Sequence, residues 1–205
     1  MYRRHFKRLL DIVLSGFGLL VLSPLFALIA VWIKLDSKGP VLFRQKRVGI
    51  HKTHFMILKF RTMRGDAPKD VPTHLLENAI QNITRCGGFL RRKSLDELPQ
   101  FYNVLKGDMS IVGPRPALWN QFDLIEMREQ GKANDVQPGL TGLAQVQGRD
   151  MLENEDKARF DGVYAQNVSF MLDMRCILLT LLKIGSGEGI VEGIQTARHK
   201  AEESK

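Results

Sequence analysis

Apolar and polar positions divide this chain unevenly, and the division is sharpest near the start. Residues 12–33 form a run of 22 positions without a charge. As one continuous helix that run extends about 33 Å, enough to cross a bilayer. Ser23-Pro24 falls at its midpoint, where proline removes a backbone donor and bends or breaks a helix. Arg3, Arg4, Lys7 and Arg8 precede the run, and Lys34, Lys38, Arg44, Lys46 and Arg47 follow it. A spanning helix carries such an excess mainly on its cytoplasmic side. Basic residues on both flanks therefore set a hairpin that dips into one leaflet and returns beside a plain spanning anchor, and the residues alone leave both open. The run is too long for a cleaved signal peptide and has no small-x-small cleavage site.

Farther on, the period shortens. Residues 40–47 and 54–61 are β-leaning runs around Gly49-Ile50-His51-Lys52, which predicts a hairpin. Lys59 and Arg61 share a face of its second strand at period two. There they could meet a diphosphate, or simply keep a strand edge from pairing with other chains. His51 and His54, without a third ligand nearby, read as surface residues. Residues 66–72 read as a loop, and 73–79 as a short helix capped by Thr73. Gly87-Gly88 reads as a break before Phe89-Leu90-Arg91-Arg92-Lys93, a basic approach to the acidic pair that follows. Residues 120–130 form an amphipathic helix ended by Gly131. The segment from Pro138-Gly139 through Thr141-Gly142 reads as turns, and 153–160 as a solvated helix. Residues 169–184 make a second apolar helix, in which Asp173, Arg175 and Lys183 leave the uncharged part too short to span. It packs in the core or lies along a membrane interface, with the interface preferred. The glycine cluster at 185–189 has neither the preceding strand nor the Lys-Ser/Thr of a phosphate loop.

Length and charge narrow the picture. A chain of 205 residues suffices for one well-cored domain, and a net charge of +8 with a pI near 9.7 calls for an anionic partner. Nucleic acid is disfavoured, because no aromatic residues interleave the cations and no reading motif is present. Cys86 and Cys176 are too few and too far apart for a disulfide framework or a zinc site, which suits a reducing, cytosol-facing location.

The richest chemistry lies between Lys93 and Pro116. Ser94-Leu95-Asp96-Glu97 has the spacing of a capping box, in which Glu97 reaches back to the Ser94 amide. Two adjacent carboxylates can equally hold Mg²⁺ or attack phosphorus. In Gly113-Pro114-Arg115-Pro116 a proline on each side restricts the backbone around the arginine. That suits a guanidinium presented as a fork to phosphate.

The run from Lys93-Ser94-Leu95-Asp96-Glu97-Leu98-Pro99-Gln100 to Val112-Gly113-Pro114-Arg115-Pro116 closely resembles the signature of the bacterial monotopic phosphoglycosyl transferases, and the resemblance extends over nearly the whole chain. It implies an α+β fold: a re-entrant membrane helix–break–helix at Ser23-Pro24, a small β-hairpin, and amphipathic interfacial helices around a compact cytosolic active site. The corresponding division is 1–38 for the membrane segment, 39–185 for the catalytic domain and 186–205 for a polar tail. The implied reaction moves a sugar 1-phosphate from a UDP-sugar to a polyprenol phosphate such as undecaprenyl phosphate, releasing UMP and starting a bacterial glycoconjugate or polysaccharide. Asp96 is the implied nucleophile. Asp96 and Glu97 are implied to hold Mg²⁺, and Lys59, Arg115, Arg149 and, more weakly, Arg91 to bind phosphate. The implied location is the cytoplasmic face of the bacterial plasma membrane, on an anionic lipid surface, with a homodimer left open. Leu143 stands where the family often has tryptophan, and Gln147 and Asp150 where asparagine is frequent. The rival reading from the residues is a non-catalytic scaffold that binds anionic lipid through its basic flanks.

Overall fold

The computed structural model describes residues 2–64, 82–148 and 151–186. The loop expected at 66–72, the helix at 73–79, Arg149 and the tail after 186 lie outside the described residues.

A π-helical turn (Tyr2–Phe6) leads into α1 (Lys7–Val21), and α2 (Ser23–Asp36) follows at a bend of 59°. Proline is the cause. Pro24 has no N–H to offer the Leu20 carbonyl, and the Ser23 hydroxyl donates to that oxygen instead at 2.8 Å. The break thus leaves no orphan acceptor at Leu20. Among the described residues no single helix is long and apolar enough to cross a membrane; α1 and α2 meet that test only as a bent pair. Phe17, Leu20, Leu28 and Leu35 are exposed on it. On its inner side, Ile29 and Ile33 of α2 are buried against Phe60, Cys86 and Leu90, and Phe26 meets Phe60 edge-on at 5.5 Å.

The hairpin forms as its alternation requires. Strands β1 (Leu42–Val48) and β2 (His54–Phe60) pair antiparallel, from Leu42 opposite Phe60 to Val48 opposite His54. His51 and His54 are exposed in and beside the turn, where His51 and Lys52 take left-handed backbone angles. A side chain occupies the far edge of β2. The Leu58 N–H donates to Asn103 Oδ1 and Asn103 Nδ2 donates to the Met56 carbonyl, both at 2.9 Å, as a third strand's peptide would.

Gly87-Gly88 does not break the chain, contrary to the local pattern. Helix α3 (Arg85–Arg92) runs through both. Thr84 Oγ1 accepts from the Gly87 N–H and the Asp36 carboxylate from the Cys86 N–H, each at 3.0 Å, so the first turn is well capped. A glycine is needed because a Cβ on Gly87 would come within 2.6 Å of Thr62 Cα. A 3₁₀ turn (Leu95–Glu97) then leads into α4 (Gln100–Lys106).

Two further strands, β3 (Ser110–Val112) and β4 (Gly139–Thr141), pair in parallel where turns alone were expected at 138–142. Around them lie α5 (Phe122–Gln130), α6 (Leu143–Gln147), α7 (Asn154–Gln166) and α8 (Phe170–Ser186). Their core contains Val112, Val136, Val146, Tyr164, Ala165 and Cys176. Helix α7 extends beyond the solvated stretch expected at 153–160, and its second half buries Asp161, Gly162 and Tyr164. The approach there is close, since a Cβ on Gly131 would lie 2.6 Å from Gly162 Cα. Helix α8 packs one face in the core and leaves the other uncovered. Asp173 and Cys176 face the core, while Phe170, Met171, Leu178, Leu181 and Leu182 are exposed. The whole is a mixed α+β arrangement with small sheets.

Candidate active site

The Asp96–Glu97 pair lies in the 3₁₀ turn, with 6% and 8% of its respective residue surfaces exposed. The capping box expected here does not form. Ser94 takes a left-handed conformation (φ 53°) and makes no side-chain cap, so Glu97 is not drawn back to the helix start. Its Oε1 instead accepts from Lys59 Nζ at 2.8 Å and from Arg115 Nη2 at 3.1 Å. The carboxylate thereby meets two full positive charges, where the cap would have offered it one backbone N–H.

Three elements converge to make this arrangement. Lys59 projects from β2, opposite Phe43 in the register. The dyad follows directly from α3, and Arg115 comes from the loop after β3. Successive carbonyls of that loop each meet a donor. Pro114 O accepts from the Gly139 N–H at 2.8 Å, Arg115 O from Arg128 Nη2 at 3.0 Å, and Pro116 O from Arg47 Nη1 at 2.9 Å. Arg128 is itself buried and paired. Its Nε and Nη2 reach Asp161 Oδ2 at 2.9 and 2.6 Å. Burial lifts the Asp161 carboxyl above the usual carboxylate range, and the guanidinium pulls against that rise.

The structure thus brings together Asp96, Glu97, Lys59 and Arg115. Arg91 lies on α3 and donates from Nε to Thr62 Oγ1 at 2.8 Å, just past the end of β2. Arg149 lies outside the described residues. Arg61, which shared a strand face with Lys59 in the sequence pattern, is turned to another purpose. It is 5% exposed and its guanidinium donates to the Ser37 carbonyl (2.7 Å), Ser37 Oγ (2.9 Å) and the Lys38 carbonyl (3.0 Å) at the end of α2. It closes the C-terminus of the bent helix pair, a position that favours a cation.

Charge in the site is compensated, with two carboxylates set among two cations. Among the described residues no group of three or more His, Cys, Asp or Glu could hold a metal by itself. Two adjacent carboxylates do fit the habit of Mg²⁺, which takes one or two such ligands and completes its shell with water and substrate phosphates. Two carboxylates beside two cations at one turn suit chemistry at an anionic phosphorus centre.

The supporting residues Arg47, Arg128 and Asp161 were not singled out from the sequence. The one available signal was Asp161-Gly162, a charge beside a small residue just past the stretch read as solvated.

The bacterial sugar transferase family model matches residues 2–187. An uncharacterized sugar transferase, EpsL, of Bacillus subtilis is 39% identical over 184 residues, covering 90% of this chain and 89% of that protein. A UDP-glucose:undecaprenyl-phosphate glucose-1-phosphate transferase of Klebsiella pneumoniae is 42% identical over 185 residues, which are 87% of this chain but 40% of that protein. A UDP-N-acetylgalactosamine-undecaprenyl-phosphate N-acetylgalactosaminephosphotransferase of Aeromonas hydrophila is 38% identical over 189 residues, 89% and 44% of the respective lengths. The chain therefore spans nearly all of the first relative and less than half of the other two.

Proposed function

Because the chain belongs to the bacterial sugar transferase family, we propose that it transfers a sugar 1-phosphate from a UDP-sugar to undecaprenyl phosphate or a similar polyprenol phosphate. The names of the longer relatives supply the substrate classes. The observation in this chain that supports the reaction is the buried dyad whose Glu97 is shared by Lys59 and Arg115.

In this reading an Asp96 carboxylate oxygen attacks the sugar-bearing phosphorus of the donor. The bond from that phosphorus to the bridging oxygen breaks, and UMP leaves with that oxygen. An aspartyl phosphosugar remains. A phosphate oxygen of the polyprenol phosphate then attacks the same phosphorus, and the acyl–phosphate bond breaks to restore the carboxylate. Glu97 fixes Lys59 and Arg115 in place, and the two cations face charge that the donor diphosphate brings. Mg²⁺, with Asp96 and Glu97 as its protein ligands, would supply Lewis-acid neutralisation of that diphosphate. Arg91 and Arg149 are further phosphate contacts in this proposal.

The same reading places α1 and α2 as a hairpin dipped into one leaflet of the bacterial plasma membrane, entering from the cytoplasmic face. The bend at Ser23-Pro24, the exposed apolar residues of the pair and the basic flanks support it. The exposed apolar face of α8 lies along the interface in this arrangement.

The test is to incubate the protein with radiolabelled UDP-sugar, with Mg²⁺ and without acceptor. Label should be recovered on the peptide containing Asp96, with stoichiometric UMP. Asp96→Asn should carry none. Label on Glu97, or an undiminished adduct in Asp96→Asn, would overturn the assignment. A non-catalytic lipid-binding scaffold would release no UMP at all.

A further inference from the structure

We infer that the buried Arg128–Asp161 pair is a positioning device for Arg115, acting on the arginine's backbone and not on the substrate. The inference rests on the transferase reading above, in which Arg115 faces phosphate.

Arg128 lies on α5 and Asp161 on α7, and their side chains are 7% and 2% exposed. A buried pair of this kind is a weak source of stability, since desolvation offsets much of the attraction and apolar residues often serve as well. Its placement suggests a different use. Arg128 Nη2 donates both to Asp161 Oδ2 and, at 3.0 Å, to the carbonyl of Arg115. Asp161 orients the guanidinium, and the guanidinium fixes the peptide from which Arg115 projects. The prolines on each side fix φ only at 114 and 116. Arg115, as the residue before a proline, is confined to the extended region, but within that region its φ and its carbonyl direction still vary by tens of degrees. The carbonyls before and after it are held by Gly139 and Arg47. The Arg128 bond is therefore the one among these three that pins the residue bearing the functional side chain.

The consequence at the other end is geometric. Arg115 Nη2 stands 3.1 Å from Glu97 Oε1, and a fork-shaped contact with phosphate is sensitive to small rotations of its stem. Loss of the pin should lower turnover more than it lowers fold stability.

The experiment replaces the pair together, Arg128→Met with Asp161→Leu, so that no buried charge is left unpaired. The double variant should keep a thermal midpoint close to that of the wild type while kcat/KM falls about tenfold or more. Repeated in an Arg115→Ala background, the same pair of changes should produce no further fall, because the residue through which it acts is gone. An unchanged kcat/KM in the first background, or an equal fall in both, would overturn the inference. Should the pair fail to fold, Arg128→Lys carries the same comparison: it keeps a charge for Asp161 but lacks the fork that serves Asp161 and the carbonyl at once. A wild type that releases no UMP would refute the transferase reading instead. Positioning is then read from the ¹⁵Nε–H NMR signal of Arg115, sharp in the wild type and broadened in the variant. A signal equally sharp in both would overturn the inference by itself.

Discussion

Replacing Arg61 by methionine separates two accounts of a cation that the sequence pattern placed beside Lys59. Methionine keeps most of the stem volume and removes the guanidinium. The structure gives Arg61 three well-formed bonds, to the Ser37 carbonyl, Ser37 Oγ and the Lys38 carbonyl. Bonds to a charged group are each worth about 1.5–3 kcal/mol net of desolvation, and three made by one guanidinium do not add in full. The loss on removing the guanidinium is therefore about 2–4 kcal/mol, the order of one to two such bonds. For a chain of this size each kcal/mol moves the thermal midpoint by about 2–4 °C, so Arg61→Met should melt about 4–16 °C lower. The measurement is thermal unfolding in detergent micelles, paired with the KM for UDP-sugar at a temperature below both transitions. The Arg61 guanidinium is engaged at the end of α2, so KM should stay within about twofold. A variant that melts like the wild type and shows a KM raised tenfold would refute this reasoning and return Arg61 to the diphosphate.

Three further outcomes are expected. Cysteines placed at Arg4 and at Lys38 should label from the same side of the membrane, and Pro24→Ala, which restores the amide that Leu20 lacks, should shift one of them to the far side; opposite-side labelling in the parent would exclude a re-entrant hairpin. Arg115→Lys keeps charge but not the fork, and loss of bonds worth about 1.5–3 kcal/mol should cut kcat/KM about tenfold or more; unchanged kinetics would reduce Arg115 to a partner of Glu97. Burial pushes both thiols, Cys86 and Cys176, up to about 11 from an ordinary 9.0. The folded state therefore holds these protons after the unfolded chain has released them, and stability present below pH 9 should be lost as pH rises toward 11. Removing both thiols by alanine should flatten that fall in thermal midpoint, and an undiminished slope would count against it.

Which parts of this architecture could be read from the sequence follows from the range of the forces involved. The hairpin and the helix break are local. Alternation with a turn specifies one, and the missing amide of Pro24 specifies the other. The convergence of Asp96, Glu97, Lys59 and Arg115 was legible through resemblance and not through spacing. Spacing alone suggested a capping box, and the left-handed backbone at Ser94 removes it. Strands β3 and β4 are three residues each and pair in parallel across a long separation, too short for any period to register. Gly87 reads locally as a breaker, yet it is demanded by the approach of Thr62. Gly162, which no local pattern marked, is likewise set by the close approach of Gly131. In each failure a distant backbone decides what a neighbour-based rule cannot see.

The contacts of the first few residues bear on the order in which this chain can assemble. Lys7 Nζ and the Tyr2 hydroxyl each reach Asp173 Oδ2 at 2.6 Å. Arg8 donates to the carbonyls of Val104 and Leu105 at the end of α4, and Asp11 accepts from the Ile111 N–H and Ser110 hydroxyl at the start of β3. Two side chains of the N-terminal helical segment are thus bound to a carboxylate 166 and 171 positions farther along the chain. Closing a loop of that length costs about 4–5 kcal/mol of chain entropy by the logarithmic rule, and none of it is recovered until α8 has emerged from the ribosome. Until then Tyr2 and Lys7 wait without the carboxylate that they share in the folded chain. Deleting residues 1–38 to obtain a water-soluble enzyme would therefore not release a finished domain. It would strip the buried carboxylate of Asp173 of two donors, and leave the remainder as an assembly that lacks its closing piece.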